Sequence, residues 1–135
     1  IVQTMDSRYP TCTNAEKMKE QIKAAIGTGA SLEKAEGAEP FYIEADTPAI
    51  KACIDTYNEV TGENATPFTM GGGTYARKLP NAVAFGPGIR GQKKPCPPGR
   101  GGGHQPDEWV KIENLTNAMV IYIEALKRLD VLIGE

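Results

Sequence analysis

Three features of this 135-residue chain contain residue types that binding or catalysis requires. His104 is the only histidine, and it lies in the segment Gly-His-Gln-Pro-Asp-Glu directly after a glycine-rich stretch. Arg8 could grip a carboxylate through two parallel N–H groups, a geometry that the planar guanidinium favours. Gly71, Gly72 and Gly73 precede Thr74 and could let a ligand approach backbone N–H and C=O groups. The matching hypotheses are a metal ligand, a carboxylate clamp and a substrate loop.

Each of these features also has an explanation that involves no ligand. One imidazole cannot complete a zinc site, which needs three or four ligands, and a lone loop histidine more often faces solvent. Arg8 could pair with the neighbouring Asp6, and the glycine run could form a sharp turn with no ligand. The residues alone leave these alternatives open.

Three other patterns indicate no further site. Residues 86–91 match G-x-G-x-x-G in letters, but a dinucleotide site needs a helix that begins there, and none is predicted. The basic residues Lys93, Lys94 and Arg100 have no interleaved aromatic side chains on which bases could stack. Cys96 is expected to be the most accessible cysteine, although a thiol nucleophile would need a neighbouring base.

Charge and composition argue against several classes of protein. The net charge of −2 gives no global attraction to nucleic acid or to an anionic membrane. The longest strongly apolar run, residues 118–123, is far shorter than the ~20 residues that span a bilayer. Three distant cysteines without a C-x-x-C pattern fit neither a disulfide framework nor a thiolate zinc site. We therefore expect a cytoplasmic protein with no nucleic-acid or membrane partner.

The apolar pattern predicts short strands that alternate with helices, which is an α/β arrangement. Strands are predicted at residues 1–5, 40–45, 66–70, 81–86 and 109–112. One helix should follow the capping-box sequence Thr13–Glu16. A second should begin after the cap Thr47, with Pro48 at its first position, and should end at Gly62. A long helix should begin at Glu113, and the stretch Pro87–Gly103, rich in glycine and proline, is predicted to be a mobile loop.

The composition changes near Asp46, which is the best candidate for a domain boundary. Residues 1–45 would form a strand–helix–strand unit, and residues 46–135 would belong to a second domain. Because the chain opens with Ile1 in a predicted strand, we expect it to be a fragment of a longer protein.

Taken in order, several segments resemble the C-terminal part of a family of dinuclear zinc peptidases. The family includes PepV-type dipeptidases, carnosinases, aminoacylases and succinyl-diaminopimelate desuccinylases, with the PepV type the most similar. The segments that carry the resemblance are Asp6–Pro10, Gly71–Arg77, Asn81–Gly86, His104–Glu108 and the closing helix Ala118–Leu129. Together they cover nearly the whole chain.

The resemblance implies a fold and roles for individual residues. Residues 1–45 would end a ferredoxin-like lid or dimerisation domain, and residues 46–135 would be the C-terminal part of a mixed-sheet catalytic domain. His104 would be the last protein ligand of one of two zinc ions. Arg8 would hold the C-terminal carboxylate of the substrate. The glycine loop, Gly71, Gly72, Gly73 and Thr74, would line the substrate pocket.

The resemblance also implies a reaction. A zinc-activated water would attack the amide carbonyl of a dipeptide or N-acyl amino acid while a glutamate moves the proton. The other metal ligands and that glutamate would lie in a missing N-terminal part of the same protein, so the chain alone should be inactive. A homodimer is a further expectation. The alternative is a non-catalytic binding or dimerisation module that retains the fold.

Overall fold

The computed structural model describes residues 1–93 and 95–134. Two residues lie outside the described residues. They are Lys94, which belongs to the predicted loop Pro87–Gly103, and Glu135, the last residue of the predicted second domain. The regular elements of the described part are α1 (Ala15–Ile26), α2 (Pro48–Thr61), a 3-10 turn (Tyr75–Lys78) and α3 (Ile112–Ile133).

The chain folds as two compact units. The first unit contains Ile1–Ile43 together with Gly71–Gly73, and the second contains Glu44–Met70 and the chain from Thr74 onward. The assignment of residues 1–45 and 46–135 to two parts of a peptidase stays a prediction.

The predicted α/β fold class is wrong, because residues 1–93 and 95–134 contain no β-strand. The five segments predicted as strands do not pair with one another, so neither the strand–helix–strand unit of a ferredoxin-like lid nor a mixed sheet is formed by them. A strand exists only where a neighbouring strand takes up its backbone hydrogen bonds. The β-branched and aromatic residues of these segments favour a position in a sheet, but they do not determine whether a neighbouring strand is present. Phe68, for example, remains 61% exposed.

The predicted start of the first helix is displaced by one residue. Asn14, rather than Thr13, is the N-cap of α1, and its side-chain oxygen accepts the backbone N–H of Lys17 at 2.9 Å. Asparagine is at least as good a cap as threonine, since its short polar side chain reaches the same unpaired N–H groups. The helix ends before Gly27, which has a φ of 58°.

The predicted ends of the second helix are confirmed. Thr47 caps α2 by accepting the N–H of Ile50 at 3.3 Å, and Pro48 occupies the first helical turn. Gly62 ends the helix in the left-handed conformation, with φ 73°, and its N–H donates to the carbonyl of Asn58 at 2.8 Å. That conformation favours glycine because it has no Cβ.

The core of the second unit lies between α2 and α3, which pack against each other. Its apolar members are Ile50, Cys53 and Tyr57 from α2 and Ala118, Ile121 and Ala125 from α3. At the rim of this contact the Arg128 guanidinium donates two hydrogen bonds to the Glu59 carboxylate. These hydrogen bonds lower the pKa of Glu59 and raise the pKa of Arg128 from their ordinary values.

The predicted long helix α3 is confirmed, but its buried face is narrow. The buried positions Asn114, Ala118, Ile121 and Ala125 follow helical spacing. Larger apolar side chains on the neighbouring faces stay exposed, among them Leu115, Met119, Leu126 and Ile133. Within the described residues, no helix is long and apolar enough to cross a bilayer.

The described residues of the stretch 87–103 form a loop, as predicted, and hydrogen bonds attach it to the helix pair, while its mobility stays a prediction. The Tyr57 hydroxyl donates to the Gly88 carbonyl at 3.0 Å. Gln92 and Asn114 exchange side-chain hydrogen bonds of 2.9 and 3.4 Å, which join the loop to the first turns of α3. These contacts attach the segment that leads into His104 to the core of its own unit.

Candidate functional site

His104 lies in a tight loop of residues 100–109, called here the histidine loop. Hydrogen bonds between backbone groups, and one to a side-chain amide, connect residues within this loop. Gly101 donates its N–H to the Pro106 carbonyl at 2.8 Å, and Gln105 donates its N–H to the Gly102 carbonyl at 3.0 Å. The Gln105 side-chain oxygen in turn accepts the Gly102 N–H at 3.0 Å. The loop before α3 is therefore internally cross-linked by hydrogen bonds.

His104 itself has an unusual backbone conformation, with φ 62°. Positive φ is uncommon for residues other than glycine, and it costs about 1 to 2 kcal/mol because Cβ crowds the following carbonyl. The N–H of His104 donates to the Glu108 carboxylate at 3.2 Å. The imidazole is exposed, and no described residue hydrogen-bonds to it, so both ring nitrogens are available to a ligand.

Gly101 is tightly packed within the histidine loop. It is buried and has a φ of 74°. A Cβ at this position would lie 2.7 Å from Cys96 Sγ and 2.9 Å from Trp109 Cδ1. The glycine is therefore required by both its backbone conformation and its surroundings.

The observed accessibility of the cysteine thiols differs from the prediction. Cys96, expected to be the most accessible, is half-buried against Gly101, and Cys12 is the exposed cysteine. Cys53 is buried in the helix pair, and desolvation raises its thiol pKa. The loop position of Cys96 suggested exposure, but the fold of the glycine run covers it.

Two carboxylates next to His104 have partners within the histidine loop. Asp107, which also has a positive φ of 58°, forms an ion pair with Arg100. Glu108 accepts the His104 N–H, as described above. Both acidic residues thus brace the loop instead of joining the imidazole at a common point.

The donor set fits a contribution to a metal site but not a complete one. Among the described residues, no three histidine, cysteine, aspartate or glutamate side chains come together. A zinc ion needs three or four ligands, and the exposed imidazole of His104 could supply one of them. The remaining ligands would have to come from polypeptide other than residues 1–93 and 95–134.

The structure brings two of the predicted substrate-binding residues together in the first unit. Arg8 Nη1 donates to the Gly71 carbonyl at 2.5 Å, and Arg8 Nη2 contacts the Asp6 carboxylate at 3.2 Å. The Arg8 side chain is still 63% exposed. The pairing with Asp6 that the sequence left open is therefore present, together with a hydrogen bond to the glycine loop. The proposed role of Arg8 toward a substrate stays a prediction.

The glycine run at positions 71–73 is open. Gly71, Gly72 and Gly73 are exposed, and none is among the described glycines with positive φ. A Cβ on Gly71 would meet no atom within 4 Å. Because neither φ nor packing at Gly71 requires glycine, its lack of a side chain leaves space for a ligand.

Thr74 has a local structural role in the second unit. Its hydroxyl accepts the N–H of Ala76 at 3.2 Å and so caps the 3-10 turn Tyr75–Lys78. The predicted contact of Thr74 with a substrate is neither required nor prevented by this cap.

Sequence reasoning identified His104 but not the residues that hold its loop. Gly101, Trp109 and Glu108 had no assigned role, and Cys96 was considered only as an accessible thiol. The available signal was composition: glycine and aspartate are the residues that tolerate positive φ, and both occur beside His104.

Comparison with known proteins gives the family. Residues 5–128 match the profile of peptidase family M20/M25/M40, and this range contains Arg8, the glycine loop and His104. The chain is 34% identical over 125 residues to a protein of Staphylococcus saprophyticus named "Putative dipeptidase", and 31% identical over 122 residues to "Putative dipeptidase YtjP" of Bacillus subtilis. These alignments cover 92% and 90% of this chain.

The chain belongs to peptidase family M20/M25/M40. It spans about a quarter of the length of its relatives, since the two alignments cover 25% and 24% of those proteins. No solved structure matches it significantly.

Proposed function

We propose that this chain is the part of a zinc-dependent dipeptidase that supplies one metal ligand, His104, and a substrate clamp, Arg8. The substrate class is a dipeptide or an N-acyl amino acid. The proposal rests on the family match together with one structural observation: the exposed imidazole of His104 is presented from a braced loop with no hydrogen bond from the described residues.

The relatives support the same reaction class by their names, which describe them as dipeptidases. Because the chain spans a quarter of their length, the other ligands and the proton-transferring carboxylate are proposed to lie in another part of the same protein. A bound zinc ion would supply Lewis-acid activation of the attacking water and the scissile carbonyl. His104 would hold that ion through one imidazole nitrogen, and the chain by itself would be inactive.

Arg8 would orient the substrate through its terminal carboxylate. Two of its guanidinium nitrogens contact Gly71 and Asp6, and the exposed side chain leaves further N–H donors for a ligand. The contact with the Gly71 carbonyl would fix the guanidinium next to the glycine loop. A substrate carboxylate bound there through two hydrogen bonds would fix the orientation of the peptide relative to Arg8.

The metal-ligand role is tested by His104→Asn in the protein expressed from its complete gene. Asparagine tolerates positive φ, so the loop should keep its conformation while the imidazole is lost. Zinc affinity and the rate of dipeptide hydrolysis should both fall by more than ~100-fold. The reason is that loss of a residue that only supports a metal ligand already costs ~10- to 100-fold, and His104 is proposed as a ligand itself. Zinc titration and hydrolysis assays measure these effects, and a urea unfolding curve controls for folding. Native zinc affinity and activity would disprove the assignment.

The clamp role is tested by Arg8→Ala and Arg8→Lys. We expect Arg8→Ala to raise KM for free dipeptides far more than for the same dipeptides with an amidated C-terminus. Arg8→Lys should recover part of the loss, since lysine retains the charge but not the bidentate geometry. Steady-state kinetics with both substrates give the comparison, and equal effects on both would exclude a carboxylate role.

A second candidate, a non-catalytic assembly module, is favoured by one observation. The faces of α3 that carry Leu115, Met119 and Leu126 are exposed, at 50%, 66% and 65%. Such a surface is typical of contact with other polypeptide. Zinc-independent self-association without hydrolysis by the complete protein would favour this candidate over the dipeptidase.

A further inference from the structure

Glu108 has a contact that neither the family match nor the proposed reaction explains. Its carboxylate lies beneath the turn that presents His104. One oxygen, Oε2, accepts the His104 N–H at 3.2 Å. The other, Oε1, lies 3.9 Å from the place where a Cβ on Gly103 would stand. Both oxygens of Glu108 therefore lie close to the two residues that form the exposed end of the loop.

The turn needs such a contact because of the backbone of His104. The hydrogen bond from Gln105 to the Gly102 carbonyl closes a four-residue turn in which His104 is the third residue, with φ 62°. A non-glycine residue holds this conformation only where its surroundings fix it. The Glu108 side chain supplies a hydrogen-bond acceptor for the N–H of the strained residue itself.

We infer that Glu108 is a positioning residue for the metal ligand: its carboxylate fixes the left-handed backbone of His104 and so sets the direction of the imidazole. This inference rests on the proposed zinc role of His104. In this arrangement Glu108 would not itself be a ligand of the zinc ion. It determines whether the imidazole is already oriented when zinc arrives, and loss of this orientation lowers affinity without removing a ligand.

The test uses Glu108→Ala and Glu108→Gln in the protein expressed from its complete gene and stripped of metal. The glutamine oxygen can still accept the His104 N–H, whereas alanine cannot. Glu108→Ala should lower zinc affinity by about 10- to 100-fold, which is less than the loss expected for His104→Asn, while Glu108→Gln keeps about the native affinity. Glu36→Ala, which removes an exposed carboxylate paired with Lys34, is the matched control and should bind zinc normally.

Two readouts separate positioning from a general loss of structure. Zinc affinity is measured by competition with a chromophoric chelator, and cobalt(II) in place of zinc reports ligand geometry through its visible absorption. A changed cobalt spectrum in Glu108→Ala, with the native spectrum in Glu108→Gln, is the expected result. Native affinity and a native spectrum in Glu108→Ala would overturn the inference.

The failure of this inference is distinct from the failure of the proposed function. If His104→Asn abolishes a zinc site and Glu108→Ala leaves it intact, only the positioning role is wrong. If His104→Asn binds zinc normally, the metal-ligand assignment fails first, and the positioning role fails with it. Should Glu108→Ala not fold, Glu108→Met replaces it, because methionine has a similar length but no strong acceptor: a loss of zinc affinity of about tenfold or more supports the positioning role, and native affinity overturns it.

Discussion

Two runs of three glycines, Gly71–Gly73 and Gly101–Gly103, differ in what surrounds them. The first run is exposed, and a Cβ on Gly71 would meet no atom within 4 Å. In the second run Gly101 is buried, has a φ of 74° and leaves no room for a Cβ beside Cys96 and Trp109. A side chain would have open space at position 71, whereas the space that it would need at position 101 is already occupied.

This difference separates two uses of the same residue type. Glycine at position 101 is needed for the loop to fold, because both its φ and its packing exclude other residues. Neither the φ of Gly71 nor the described atoms around it require glycine, so a requirement for it would come from a ligand or from another part of the protein. Substitutions at these two positions therefore distinguish a structural glycine from a functional one.

The largest expected effect is that of Gly101→Ala. The added Cβ would lie less than 3.0 Å from atoms of Cys96 and Trp109. The alanine would also have to adopt the left-handed φ of this position. Overpacking and backbone strain together should lower the free energy of unfolding by about 2 to 4 kcal/mol. Urea denaturation of the complete protein measures this loss. A stability within experimental error of the native protein would show that Cys96 and Trp109 do not confine Gly101.

An intermediate effect is expected when Cys96→Ala is added to Gly101→Ala. The sulfur is the closest atom to the new Cβ, at 2.7 Å, and its removal makes room. The contact with Trp109 and the backbone strain remain, so the double variant should recover only about 1 kcal/mol of the loss. A double-mutant cycle of unfolding free energies tests this. Strict additivity of the two single effects would contradict the packing described here.

The smallest effect on stability is expected for Gly71→Ala. With open space around the new methyl group and a backbone outside the left-handed region, the change should be neutral or stabilising by about 0.4 to 1 kcal/mol. If the glycine loop lines the substrate pocket, KM for dipeptides should rise in the same variant. Kinetics and urea denaturation on one preparation give both values. A loss of stability as large as that of Gly101→Ala would remove the contrast between the two runs.

The helices could be predicted from the sequence because their signals are local. The cap at Thr47, the proline at its first turn and the stop at Gly62 act within a few residues of each other, and all three are observed. The strands could not be predicted, since a strand depends on a partner elsewhere in the chain. Phe68 and its neighbours have the composition of a strand but pair with no described segment.

The candidate site residues were predicted from residue type and from the family resemblance, not from their arrangement. His104 and Arg8 are conspicuous because few side chains bind metals or carboxylates so well. The hydrogen bond from Arg8 to Gly71 joins residues 63 positions apart, and no local pattern indicates it. The contact of Glu108 with the His104 N–H depends on a turn whose φ values are set by the whole loop.

By itself the sequence determined where helices begin and end, which residues could bind a metal or a carboxylate, and which family the chain resembles. Only the tertiary structure decided which face of α3 is buried, which of the glycines 71 and 101 is confined, and which side chains contact the backbone of His104. The reason is that caps and periodicity act over one or two helical turns, whereas burial and positive φ depend on atoms brought together from distant positions.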